Sequence, residues 1–219
     1  MTFEAAEEPR RVRGGPPAPR ARPPIALAAL GAGLLLGYGL ELSVTLRSGP
    51  AELESFLHAF GLVPREVLAG RVFTLATAIF LHADSFHLLS NLVFLGAFGF
   101  ELEPRVGAPR FAGLFLGCGL VAGLIHVATS PASFLPTVGA SGAVSGVLGA
   151  WWRMRHDRGP LPRLLGRIPA LVLLALWIGA QVAAGLSGGA GEAGWAHLGG
   201  FAAGLAVAPR LRRVSPRTP

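Results

Sequence analysis

Six apolar runs, at roughly 25–46, 84–102, 109–129, 139–155, 168–186 and 193–209, occupy most of the 219-residue chain. A helix needs about 20 residues to cross the hydrocarbon core of a bilayer, with about 17 as a lower limit. The first and third runs satisfy this outright. The fourth and sixth are short and glycine-rich, so they require burial among other helices. The expected fold is an all-α integral membrane protein with six transmembrane helices. Charge density agrees: 14% of residues are charged, against roughly a quarter in soluble domains.

The formal net charge is +7, with nineteen arginines and no lysine. A basic balance of this size suggests nucleic acid only where a soluble domain gathers it on one face. Here the arginines sit in short clusters between apolar runs, which is how membrane topology is encoded. No nucleic-acid partner is expected; the solvent partner is the lipid bilayer. With the N-terminus in the cytoplasm, the inner side receives sixteen of the nineteen arginines. They are Arg10, Arg11, Arg13, Arg20 and Arg22; Arg105 and Arg110; Arg153, Arg155, Arg158, Arg163 and Arg167; and Arg210, Arg212, Arg213 and Arg217. Only Arg47, Arg65 and Arg71 remain outside, in one long loop. Both termini are therefore expected in the cytoplasm.

The domain reading follows. Residues 1–24 form an Arg/Pro-rich cytoplasmic tail expected to be disordered, without the features of a cleavable signal peptide. Residues 25–209 form the membrane domain, within which 47–83 is a long external interfacial connection. Residues 210–219 form a basic cytoplasmic tail. Cys118, the single cysteine, lies inside an apolar run and reads as a packing residue. No metal site and no cofactor is expected.

Polar groups inside a bilayer are costly, so each one within a span invites a functional hypothesis. His87 and Asn91 lie one turn apart near the outer end of the second span. Ser141 lies at the outer start of the fourth, and His197 near the outer start of the sixth. The topology thus sets Ser, His, His and Asn at one depth. Gly139-Ala140-Ser141-Gly142 opens the fourth helix, and Gly142, Gly146 and Gly149 continue as a stripe of small residues. Gly200 and Gly204 form a second stripe. Small residues four apart let helix backbones approach closely. If the stripes face each other, Ser141 and His197 meet at the outer end of the contact. A hydroxyl beside an imidazole is the minimal activated nucleophile. Asn91, His87 and the Ser141 amide at a helix start are candidate donors to a developing oxyanion.

Each group also has a plainer reading. Ser141 alone reads as a helix cap, the glycines alone as packing, and His87 or Asn91 alone as a buried interhelical bond. Those readings do not require one shared depth. His126, Ser145 and Gln181 read as packing or interhelical bonds. Asp84 lies at the aqueous edge and receives no role. Glu101 and Glu103 lie on the cytoplasmic side, about 15 Å or more from His87 at 1.5 Å per residue.

Three motifs match one family. They are Phe80-Leu81-His82-Ala83-Asp84-Ser85-Phe86-His87-Leu88-Leu89-Ser90-Asn91, Gly139-Ala140-Ser141-Gly142, and Ala196-His197-Leu198-Gly199-Gly200 followed by Gly204. In this order and on these helices the chain resembles the rhomboid intramembrane serine proteases over roughly 60–206. The resemblance implies a six-helix rhomboid-like bundle with a Ser141–His197 dyad and no carboxylate. It implies an oxyanion site built from His87, Asn91 and the Ser141 amide, supported by Gly139 and Gly142. His82 corresponds to a polar residue associated with water access, Glu101 to a structural acid, and Gly200 and Gly204 to helix-packing glycines. The implied substrates are single-span membrane proteins cut in or near the transmembrane segment. In one place the chain departs from the pattern: Phe73-Thr74 stand where many relatives carry Trp-Arg, with Arg71 nearby.

Other function classes remain open at this stage. A catalytically inactive rhomboid-like protein that binds membrane clients would lack the dyad residues, which are present here. A transporter or channel would show charged groups near the midplane and broken-helix repeats. A specialised rhomboid that processes C-terminally sorted proteins would carry the same site residues. The all-Arg, Gly/Ala/Pro-rich composition points to a prokaryotic plasma (inner) membrane, with the site facing the extracytoplasmic side.

Overall fold

A computed structural model of the chain describes residues 23–154, 167–187 and 193–211. The tail read at 1–24, apart from its last two residues, lies outside the described residues. So do Arg155, Arg158 and Arg163, and the C-terminal tail from residue 212.

Helices form over every apolar run. They are α1 (Ile25–Ser48), α5 (Ser85–Val106), α6 (Ala108–Thr129), α7 (Ser141–Met154), α8 (Arg167–Ser187) and α9 (Ala193–Leu211). The long connection after α1 carries three shorter helices, α2 (Pro50–Phe60), α3 (Pro64–Leu68) and α4 (Thr74–Thr77), and a 3₁₀ turn at Ala78–Phe80. Proline occupies an N-terminal position of α2 and α3, where its missing N–H costs nothing and its fixed φ suits the helix. Among the described residues there is no β-strand, only an isolated antiparallel bridge between Leu62 and Thr137. By length and composition, α1, α5 and α6 are long and apolar enough to cross a membrane. Large apolar side chains point outward along them, including Leu36, Leu40, Val93, Phe94 and Leu124. An exposed apolar surface of this kind marks a face that meets lipid or protein.

α7 is the central helix. It packs most extensively on α9 and α6, and most of its residues are buried, from Gly142 to Met154. Backbone proximity explains its composition. A Cβ added at Gly200 would overlap the carbonyl oxygen of Gly142, and one at Gly204 would overlap that of Gly146. A Cβ at Gly149 would meet the carbonyl of Phe201, and one at Gly142 would meet Ala122 on α6. The stripes on α7 and α9 therefore lie against each other with nothing but backbone between them.

The fourth run begins later as a helix than its sequence suggests. Gly139 does not open α7; it adopts φ +127°, a conformation nearly closed to residues with a Cβ. Its N–H donates to the carbonyl of Ala78 at 2.9 Å, and the helix starts at Ser141. Two further backbone bonds tie this loop to the long connection, Leu62 N–H to the Thr137 carbonyl at 2.9 Å and Thr137 N–H to the Leu62 carbonyl at 2.8 Å.

Three buried or half-buried acids hold the remaining helices. Pro24 caps α1 without a side-chain acceptor. The acceptor arrives from α5 instead: Glu103 takes the N–H of Ala26 at 3.0 Å and of Leu27 at 2.7 Å. The positive end of the helix dipole favours a carboxylate there. Near the other end of α1, buried Glu41 accepts the His82 N–H on both oxygens, at 2.9 and 3.1 Å. Glu101 accepts the indole N–H of Trp151 at 2.6 Å and pairs with Arg105, which joins α5 to α7. Glu103→Ala removes both α1 acceptors at once. The expected loss is about 2 kcal/mol of stability, from unpaired helix-start amides. Equilibrium unfolding in detergent reads this directly, and an unchanged midpoint would refute the capping role.

The long connection is held together around Arg71, Phe73 and Thr74. Arg71 pairs with Glu66 and donates to the Ala59 carbonyl at 2.5 Å. It thereby caps the end of α2. Thr74 is buried, and its hydroxyl donates to the Arg71 carbonyl at 2.8 Å. Phe73 is half exposed and lies within cation–π range of Arg71 at 5.8 Å.

Candidate active site

Ser141 is the first residue of α7, so its backbone N–H is among the helix-start amides that lack an intrahelical partner. His197 sits in the second turn of α9. The close backbone contact of the two helices brings their side chains together: Ser141 Oγ lies 2.6 Å from His197 Nε2. The other ring nitrogen, Nδ1, lies 2.6 Å from Gln181 Oε1 on α8. A neutral imidazole has one N–H. With that proton on Nδ1, donated to the Gln181 oxygen, Nε2 is free to accept the Ser141 hydroxyl.

His87 and Asn91 approach from α5. Asp84 caps this helix, accepting the His87 N–H at 2.8 Å, and so sets the first turn on which His87 stands. The His87 ring lies against Gly139, where a Cβ would come within 2.6 Å of it. The positive φ and this contact both require glycine at that position. Asn91 is buried, and its Nδ2 has no hydrogen-bond partner among the described residues. An amide N–H₂ kept unpaired in a buried position is a donor held ready for an acceptor that arrives.

Two cavities meet at Ser141 and His197. One, of about 150 Å³, is lined by Ile79, Gly119, Ala122 and His126 among others, and also borders His87. The second, of about 280 Å³, is lined by Asn91, Phe94, Phe98, Trp177 and Gln181, and also borders His87. The hydroxyl of Ser145, one turn along α7, donates to the Ser141 carbonyl at 2.7 Å. His126 Nε2 and Thr137 Oγ1, both in the lining of the first cavity, lie 2.8 Å apart. His82 is 2% exposed, and neither ring nitrogen has a hydrogen-bond partner among the described residues. Burial, with the nearby His87 adding to it, lowers its pKa to about 4, so the ring is neutral. It packs edge-on against His87, with ring centroids 5.1 Å apart. Among the described residues no cluster of three metal-ligating side chains occurs.

The structure therefore brings Ser141, His197, His87, Asn91, Gly139 and Gly142 to one place, with Gly200 in the helix contact beneath and His82 behind His87. Gly204 lies one turn further along α9. Glu101 lies at the opposite end of α5, bonded to Trp151. Reading the sequence passed over Glu41 and gave Glu103 no role; Glu41 is a lone acid near the end of an apolar run, and that isolation was the available signal, whereas Glu103 stands two residues from Glu101 and carries no such mark. It also left Gln181 as an interhelical bond without identifying its partner as His197.

Comparison with known proteins converges on one family. The family model for the Rhomboid domain matches residues 69–214. The chain is similar to Rhomboid-like protease 1 of Toxoplasma gondii, at 30% identity over 152 residues, covering 66% of this chain and 48% of that protein. It is similar to RHOMBOID-like protein 5 of Arabidopsis thaliana at 29% over 175 residues, covering 74% and 53%. It is similar to Rhomboid protease GluP of Bacillus subtilis at 29% over 181 residues, covering 81% and 33%. The chain thus spans between a third and about half the length of these curated relatives. A family match over two thirds of the chain, three motifs in order and outward-facing apolar helices lead to one assignment: this is an integral membrane protein that belongs to the rhomboid family.

Proposed function

We propose that the chain is an intramembrane serine endopeptidase that cleaves single-span membrane proteins in or near their transmembrane segment. The observation that carries this is the 2.6 Å approach of Ser141 Oγ to His197 Nε2, between two helices in glycine-mediated contact. Ser141 Oγ attacks the scissile carbonyl as its proton passes to Nε2. Negative charge develops on the former carbonyl oxygen. The Ser141 N–H, Asn91 Nδ2 and the His87 ring are the donors proposed to stabilise it, and such donors act strongly where water is excluded. His197 then gives the proton to the leaving amine, so an acyl-enzyme remains on Ser141. Water activated by the same imidazole releases the second product and restores the hydroxyl.

The topology belongs to the same proposal. Six helices span the bilayer with both termini in the cytoplasm, because that arrangement puts sixteen of nineteen arginines inside. Residues 25–209 form the membrane domain between the tails at 1–24 and 210–219, and 47–83 lies at the outer interface. The site then opens to the extracytoplasmic side of a prokaryotic plasma membrane. A transmembrane substrate shields its peptide bonds by helical hydrogen bonding, so cleavage requires local unwinding beside Ser141.

A fluorophosphonate probe tests this with protein purified in detergent and then in lipid. Wild type is expected to label, and Ser141→Ala to lose all labelling while retaining its unfolding midpoint. A folded wild type that neither labels nor cleaves a model single-span substrate would remove the protease reading in favour of inactive client binding.

A further inference from the structure

We propose that Gln181 is a positioning residue for the Ser141–His197 pair: its side-chain oxygen accepts the Nδ1–H of His197 and holds the imidazole in the tautomer that presents Nε2 to the serine. The inference deepens the protease reading above and rests on it. The contact is short, 2.6 Å between Nδ1 and Oε1, and it lies on the far side of the ring from the 2.6 Å contact to Ser141. The two bonds are compatible in only one arrangement of a neutral imidazole, with hydrogen on Nδ1 and the lone pair on Nε2. Without an acceptor at Nδ1, the other tautomer becomes available. It would donate Nε2–H to Ser141 and could take no proton from it. In serine hydrolases with the wrong tautomer the chemical step is lost while the geometry persists.

The surroundings give Gln181 this task rather than general packing. Among the described residues no aromatic ring stacks on His197, so its plane is set through its nitrogens. The backbone that carries Gln181 is locked to the start of α9. A Cβ at Gly194 would overlap the Gln181 carbonyl oxygen, and Trp195 Nε1–H donates to the Gly185 carbonyl at 2.9 Å. The amide on α8 and the imidazole on α9 are thus held in register by contacts two and three residues before His197. Gln181 also lines the cavity shared with Asn91, whereas Ser145 is turned onto the Ser141 carbonyl.

The test is the rate of fluorophosphonate labelling as a function of pH, for the full chain in detergent. The probe reports activation of Ser141 without needing the natural substrate. Gln181→Leu keeps the bulk and removes the acceptor, and it is expected to slow labelling by at least about tenfold with the unfolding midpoint near that of wild type. Gln181→Glu supplies an oxygen that can only accept. It is expected to label within a few-fold of wild type at its optimum, with the acid limb moved to higher pH. The sign follows from charge: a carboxylate beside the ring favours imidazolium, so more alkaline solution is needed to free Nε2. The other titratable groups bordering the same cavities are His87 on α5 and His126 on α6, and neither changes in the series. Labelling of Gln181→Leu at the wild-type rate would overturn the proposal and leave the dyad intact. Should the Leu variant misfold, a Glu variant without displacement of the acid limb overturns it equally. A folded wild type that neither labels nor cleaves a model single-span substrate removes this inference together with the protease reading.

Discussion

His197→Ala is expected to slow acylation of Ser141 by about 10⁴-fold or more, with the fold retained. Loss of the base in a serine–histidine pair costs about this much in serine hydrolases. The physical origin is simple. The Ser141 hydroxyl is a poor nucleophile at neutral pH, and His197 Nε2, at 2.6 Å, is the proton acceptor proposed for it. The two residues act as a unit, so the double variant Ser141→Ala/His197→Ala should be no slower than Ser141→Ala alone. Single-turnover cleavage of a model single-span substrate in proteoliposomes checks both statements. Residual cleavage above about a hundredth of wild type, at an unchanged unfolding midpoint, would mean that another group serves as the base.

The second large effect is structural. Gly204→Val is expected to cost about 3 kcal/mol or more, a large part of the roughly 5–15 kcal/mol that a folded domain commands. A Cβ at Gly204 would fall on the backbone of Gly146, meeting its carbonyl carbon at 2.7 Å and its Cα at 2.9 Å. No rotamer change relieves an overlap with backbone, so α7 and α9 must separate. Separation pulls His197 away from Ser141, and labelling is expected to vanish with the fold. The control is Gly113→Ala on α6, where nothing lies within 4 Å of the added methyl. Helix propensity alone then acts, and that variant should be neutral or slightly stabilised. Thermal unfolding of the two variants side by side reads the difference, and equal midpoints would show that the close helix contact is not what the glycines serve.

Legibility varied by the range over which each interaction acts. Apolar runs are local, so helices lie over every one of them. The glycine spacing on α7 and α9 is also local, and it pointed to a close contact that places Ser141 beside His197. The connection read at 47–83 is not bare loop but carries α2, α3 and α4. The start of α7 was misread by two residues because Gly139 is held in left-handed φ by a bond to Ala78, sixty-one positions earlier in the chain. The acids were harder. Glu41 and Glu103 accept backbone N–H groups, and a backbone donor leaves no mark in the sequence. Gln181 sits on an apolar helix where an amide reads as a generic interhelical bond. Only the packing of α8 on α9 shows that its partner is His197.

The first helix has a consequence for the order in which the chain is made. Its start is held by Glu103, 76 residues later than Leu27, and its far end by the backbone of His82, 41 residues after Glu41. Neither partner has emerged when α1 leaves the ribosome. At about 5–20 residues per second, some 4–15 s pass before the chain reaches Glu103. Throughout that interval α1 waits in the membrane with its amide end unmatched, while its acid finds a partner sooner, because His82 precedes Glu103 in the chain. Its docking is a late event set by translation, and slowing elongation between the codons of Leu27 and Glu103 lengthens the period in which membrane quality control can capture it.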